Sequence, residues 1–173
     1  MKKADIKPDI QLRLYEWQTQ EYLLIDWYSQ LVASGDMYVT FAPDMRYMSN
    51  FLTFFRGHAI LGYDVDEKGI WFAFWVEPCM SGAYAGVWIR EDKRHVPSSF
   101  KLLSKAYDEA FKVYTVIIGM SKQFDHRELH AKLGYTHACT IPGLWNGDEV
   151  DIHYLTREQW NHRKEHRGNL GKV

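Results

Sequence analysis

Cysteine is scarce in this chain, with only Cys79 and Cys139 among 173 residues. Two thiols make neither a disulfide framework nor a four-cysteine zinc site, and they could pair only if the fold brought them together. Charge of one sign is also lacking. The 21 basic and 22 acidic residues leave a formal net charge of −1, so no global field draws the chain to nucleic acid or to an anionic membrane. No hydrophobic run approaches the length that spans a bilayer, and residues 1–10 alternate charged and apolar groups without the apolar block of a signal peptide. Repeats and low-complexity linkers are missing too. These absences point to one soluble, cytoplasmic unit spanning residues 1–173, with no nucleic-acid or membrane partner.

Aromatic residues are plentiful. Seven Trp, eleven Tyr and nine Phe within a 46% hydrophobic composition supply a sizeable core and exclude a disordered or fibrous chain. In the first third, Leu23, Leu24, Trp27 and Leu31 mark an amphipathic helix over 19–33, stopped by Ser34 and Gly35. A short strand over 38–41 is expected next. Pro43 then suits the first position of a second helix whose apolar face carries Met45, Met48, Phe51, Leu52 and Phe55. Two strands, 59–65 and 70–76, flank a turn made of Asp66, Glu67, Lys68 and Gly69. A second hairpin, 136–145 with 148–155, surrounds Asn146-Gly147, a strong short turn signal. The division is a helical part over 1–57, a sheet core over 58–160 and a polar tail over 161–173.

Between the hairpins, residues 85–135 read as strand, turn, helix, strand, short helix. Val87, Trp88 and Ile89 form an apolar strand, and a charged turn over 90–95 hands over to a helix opening at Pro97, Ser98 and Ser99. Phe100, Leu103, Tyr107, Ala110 and Phe111 recur at helical spacing, and the β-branched run 113–118 is a buried strand beside the first. Asp125 and Glu128 are placed as a capping-box pair before Leu129 and Leu133, and Gly134 sits where a helix C′ residue belongs. A helix between two strands in this order makes the strands parallel neighbours. The fold class is α+β: a mostly antiparallel sheet with one central parallel pair and helices on both faces. A helix N-terminus directly after a strand presents unpaired N–H groups that suit a diphosphate, with Lys93, Arg94, Ser98 and Ser99 as further donors.

This segment resembles the GNAT family of acetyl-CoA-dependent N-acyltransferases. The family's phosphate loop, R-G-x-G-x-G/A followed by two leucines, corresponds to the run from Arg94 through Leu102 and Leu103, in which His95, Pro97 and Ser99 occupy the three glycine positions. A second motif, N-x-x-A-x-x-x-Y-x-x-x-G-F, maps onto Gln123, His126, His130, Gly134 and Tyr135, with His130 in place of the usual tyrosine acid. The resemblance implies acetyl-CoA as co-substrate, bound along Val87 and Ile89 and by Arg94, Ser98, Ser99 and Gln123. It also implies that His130 stands near the departing thiolate and supplies a proton.

His126 and His130 share one helix face, but H-R-E-L-H is not the H-E-x-x-H order of a zinc peptidase, and no distant ligands complete a metal site. Transfer to an amine needs a group that takes the ammonium proton. Glu77, ending the longest apolar run, is the first candidate, followed by Glu91 with Asp92. Trp71, Phe74, Trp75 and Trp88 could line an acceptor pocket or simply pack in the core. The basic C-terminal residues Arg157, Arg163, Lys164, Arg167 and Lys172 are interleaved with Glu158 and Glu165, which makes a solvated helix rather than a nucleic-acid contact.

Two functions follow from the resemblance. One is an N-acyltransferase acting on a primary amine of a small molecule or a protein by direct attack in a ternary complex, since neither cysteine has a base beside it in sequence. The other is a scaffold without cofactor chemistry, a binding or assembly protein of the kind that occurs in tailed-phage virions and heads. A homodimer fits either function, as does a virion location if the gene is a phage's.

Overall fold

The first helix, α1 (Trp17–Ser34), ends at Gly35, whose φ of +80° lets its N–H reach Val32 O as an αL cap. Leu24, Trp27 and Leu31 are its buried stripe. The structure is a computed structural model that describes residues 11–57, 60–94, 96–122, 124–145 and 147–170. After Gly35 the chain departs from expectation: residues 37–40 form a one-turn helix, α2 (Met37–Thr40), not a strand. Local bonds from Thr40 N to Asp36 O and from Phe41 N to Met37 O close this turn against the β propensity of Tyr-Val-Thr. Pro43 does open a helical turn, but a 3-10 one (Pro43–Arg46). Tyr47 is extended and α3 (Met48–Gly57) starts afresh, burying Phe51 and Phe55.

A seven-stranded sheet follows, in the order β1-β2-β3-β4-β5-β7-β6. Its members are β1 (Arg13–Leu14), a short edge strand absent from the sequence reading, β2 (Ile60–Asp66), β3 (Gly69–Cys79), β4 (Gly82–Ile89), β5 (Val116–Ser121), β6 (Thr136–Trp145) and β7 (Asp148–Thr156). Every neighbouring pair is antiparallel except β4 and β5. The parallel connection runs through α4 (Pro97–Val113), as a parallel pair requires. The following strand starts at Val116, three residues later than expected, because α4 keeps its apolar stripe to Phe111 and Val113 is its last residue.

Helix α5 (Phe124–Leu133) opens ahead of Asp125, so the expected capping pair lies inside the helix and not at its boundary. Its end is as expected: Gly134 has φ +85°, Tyr135 N–H donates to His130 O and Gly134 N–H to Ala131 O, the two bonds of a Schellman motif. The β6–β7 turn contains Gly147 at φ +89°, whereas Asn146 lies outside the described residues. The expected polar tail is largely helix, α6 (Arg157–Leu170), docked by buried Trp160, whose indole N–H donates to Asp108.

Strand β3 explains why the longest apolar run is uninterrupted: both of its faces are covered. Phe72, Phe74 and Val76 pack with Leu102, Leu103, Tyr107 and Phe111 of α4, whereas Ala73 and Trp75 pack with the N-terminal helices. On that second face Trp27 is ringed by Phe41, Phe51, Phe55, Trp75 and Trp88 at centroid separations of 5.4–6.1 Å. Trp71, Phe74 and Trp88 are therefore core residues, and Trp75, buried as well, also lines the main cavity described below. No helix among the described residues is long and apolar enough to cross a membrane.

Candidate active site

Strands β4 and β5 pair only over Gly82↔Val116, Ala83↔Ile117 and Tyr84↔Ile118 and then part, leaving β4 to continue to Ile89 paired with β3 and not with β5. The direction of the freed backbone groups follows from the other neighbour. Arg90 N–H donates to Trp71 O at 2.9 Å, and antiparallel bonding alternates, so the amides of residues 84, 86 and 88 serve β3. Those of Ala85, Val87 and Ile89 point to the side that β5 has vacated. The Ile89 carbonyl is taken there by the Arg94 guanidinium, 3.1 Å away, while the strand segment at Ala85 and Val87 borders open space.

That space is a cavity of about 410 Å³, within the range of small-ligand sites. Its walls include Phe41 and Trp75 from the N-terminal-helix side of the sheet and Tyr107 and Leu133 from the α4 side, so it passes through the sheet at the split. Glu77 and Tyr84, cross-strand partners on β3 and β4, both line it. A smaller cavity of about 250 Å³ lies between Ile89, Arg94 and Pro97 and the start of α4, and Leu129 borders both.

His130 lines the main cavity from α5. Its ring sits against Gly119 of β5, where a Cβ would fall 2.7 Å from Nε2, and beside Tyr135 and His153 at centroid distances of 4.7 and 4.6 Å. Behind it runs a polar cluster. Ser121, buried and also lining the cavity, lies 3.3 Å from His153 Nε2, and burial pushes the His153 imidazole below its ordinary value, keeping it neutral near pH 7. Thr140 donates to Asp151 at 2.6 Å, and that bond, with Arg127 and His137 nearby, holds the Asp151 carboxyl below the usual range. Tyr107 and Tyr135 share a hydrogen bond of 2.8 Å in the core. Burial raises Tyr107 to about 12 and Tyr135 well above the ordinary phenol value.

The other sequence candidates are spread out. Glu77 is exposed at the cavity. Glu91 opens a 3-10 turn (Glu91–Lys93) beyond the far end of β4 and is not among the cavity residues, as is also true of Asp92, which pairs with Arg90. Val87 borders the main cavity and Ile89 the smaller one. Arg94 spans from Ile89 O to Asp36, at 3.3 Å, and Asp36 also accepts the Trp88 indole N–H at 2.8 Å. Ser99 is buried with its hydroxyl donating to Lys93 O at 2.5 Å, and its amide donates to Val96 O, while the Val96 amide donates to Lys93 O. Ser98 is half-buried in the first turn of α4. Gln123, and the side chain of His126, lie outside the described residues. Tyr84, Gly86, Gly119 and Ser121 were not singled out by sequence. The glycines carried a signal, since glycine inside an apolar strand marks a close approach.

No protein-family model matches the sequence, and no curated protein matches it. Solved structures do. A spermidine N-acetyltransferase from Vibrio cholerae in complex with CoA and spermine superposes with a TM-score of 0.62 at 11% identity, covering 87% of this chain and 96% of that one. A ribosomal-protein-alanine N-acetyltransferase from Brucella melitensis gives 0.61 at 11% identity over 84% and 99%, and an N-acetyltransferase from Staphylococcus aureus Mu50 gives 0.60 at 16% over 84% and 97%. The chain has the fold of the GNAT acetyltransferases.

Proposed function

We propose that this protein is an N-acyltransferase that moves an acetyl group from acetyl-CoA to a primary amine by direct attack in a ternary complex. The observation that carries the reading is the split after Tyr84 and Ile118, where the free backbone of Ala85 and Val87, the His130 ring and the Glu77 carboxylate border one cavity. An extended amide-bearing chain such as pantetheine can bond to a strand edge as another strand would. Ala85 and Val87 supply those bonds, and Ile89 continues the wall towards the smaller cavity. Ser98 and Arg94 are the donors assigned to the diphosphate, with Arg94 exchanging Asp36 for it. Glu77 takes the ammonium proton, directly or through water, as the amine nitrogen bonds to the acyl carbon. His130 gives a proton to the sulfur as the C–S bond breaks. Neither Cys79 nor Cys139 lines the cavity, in keeping with a route that forms no cysteine acyl-enzyme.

One observation favours the second reading, a scaffold that binds or assembles without cofactor chemistry. The amides of Val96 and Ser99 and the Ser99 hydroxyl are consumed within the loop, and Pro97 has none to offer, so few donors remain for a diphosphate. Acetyl-CoA titrated into the full chain separates the two: a transferase binds it and releases free CoA when an amine is added, and a scaffold does neither.

A further inference from the structure

The N-terminal-helix side of the main cavity is mostly apolar, with Thr40, Asp44 and Glu77 as its polar members. Val39 of α2, Phe41, Met45 of the 3-10 turn, Phe54 of α3 and Trp75 of β3 all border it. The wall is preformed. Phe41 and Trp75 stack at 5.0 Å with an interplanar angle of 18°, Trp27 backs Trp75 at 6.1 Å, and the Trp75 indole rests on Gly86, where a Cβ would stand only 2.1 Å from the ring. The charged groups on this side are Asp44 and Glu77, both exposed and both lining the cavity, and among the described residues neither carboxylate has a hydrogen-bond or ion-pair partner in the protein. Lys122, a cation that lines the same cavity, is placed over the Trp145 ring, 5.4 Å from its centroid, at the end formed by β5 and β6.

Resting on the acyltransferase reading, we propose that the acceptor is a small monoamine with a flat apolar body, of the arylalkylamine type, whose ring lies against Phe41, Phe54 and Trp75 and whose ammonium meets Glu77. A ring buries apolar area against these walls and offers them edge and face contacts, and an ammonium at their rim meets the Glu77 carboxylate. A polyamine such as spermidine fits less well: Asp44 and Glu77 can receive two ammoniums, but a third would have to leave water beside Val39, Phe41, Met45 and Phe54 with no further carboxylate on this side. A lysine or chain terminus of a protein brings polar backbone to the same walls, with the same cost.

Three amines titrated calorimetrically into the full chain, without cofactor, test this: 2-phenylethylamine, spermidine and a lysine-containing peptide. We expect 2-phenylethylamine to bind about tenfold or more tightly than either of the others, and to weaken about tenfold in Glu77→Gln and in Phe54→Ala. Glu77 is exposed and Phe54 only half-buried, so both variants should fold, which circular dichroism checks. Spermidine or peptide binding as tightly as 2-phenylethylamine, or an affinity for 2-phenylethylamine unmoved in both variants, overturns the assignment. Acetyl-CoA titrated in parallel reports on the acyltransferase reading by itself: its failure to bind removes that reading, while the three amine isotherms still decide what the cavity accepts.

Discussion

Trp75 lies across Gly86, its cross-strand partner, with no room for a side chain between them: a Cβ on Gly86 would stand 2.1 Å from Cζ2 and 2.2 Å from Cε2. The contact makes β4 thin where it enters the cavity and fixes the indole as a wall. Gly86→Ala should force Trp75 off its stack with Phe41, costing about 1–3 kcal/mol by overpacking, and should weaken 2-phenylethylamine more than acetyl-CoA. Denaturant unfolding and the two titrations measure these effects. An unchanged midpoint would mean the indole has somewhere else to go.

His130→Phe keeps a ring of similar size against Gly119 and removes the proton. Turnover should drop by roughly 10²–10⁴-fold, as for loss of general acid catalysis, with acetyl-CoA affinity nearly intact. A parallel loss of affinity would make His130 a packing residue.

Arg94 is held by Asp36 and by Ile89 O, and it borders the smaller cavity. Arg94→Ala should lower acetyl-CoA affinity by about 1.5–3 kcal/mol, the range for hydrogen bonds to charged groups. The exposed ion pair itself contributes little to folding, about 0–1 kcal/mol. Calorimetry with the variant gives the first number, and urea unfolding the second.

The fold was legible wherever local chemistry and tertiary contact agree. Gly35, Gly134 and Gly147 adopt positive φ at the ends and turns where the pattern puts them, and the parallel pair follows from a helix-length crossover. Residues 38–41 were not legible, because their β-branched and aromatic side chains say strand while local bonds to Asp36 O and Met37 O close a helical turn. The site was half legible. His130 and Glu77 stand on the cavity, but nothing in the run from Arg94 to Ser99 tells that its amides and the Ser99 hydroxyl bond back into the loop. Cross-strand relationships such as Trp75 with Gly86 depend on register, which a single strand's pattern does not contain.

Three buried groups make stability depend on pH. The phenols of Tyr107 and Tyr135 are held protonated well past their ordinary 10, Tyr107 to about 12, so the unfolded chain loses its protons first and stability should fall as pH rises above 10. His153 is shifted the other way, below 6.5. The unfolded chain takes up that proton first, and stability should decline as pH falls from about 6.5 towards the folded value. Tyr135→Phe strands the Tyr107 hydroxyl and should cost about 1–3 kcal/mol, whereas the double phenylalanine variant should cost less than the single one. Thermal unfolding across pH, with the two variants, checks all of these.

The central claim, that the split between β4 and β5 holds acetyl-CoA, is tested most directly by calorimetric titration of acetyl-CoA into the full chain near pH 7. The account predicts a saturable one-to-one isotherm complete by about 1 mM, in line with ordinary substrate affinities, and a melting temperature that climbs with ligand concentration. An absence of both heat and thermal shift at millimolar acetyl-CoA would contradict it and leave the chain a scaffold on a transferase fold.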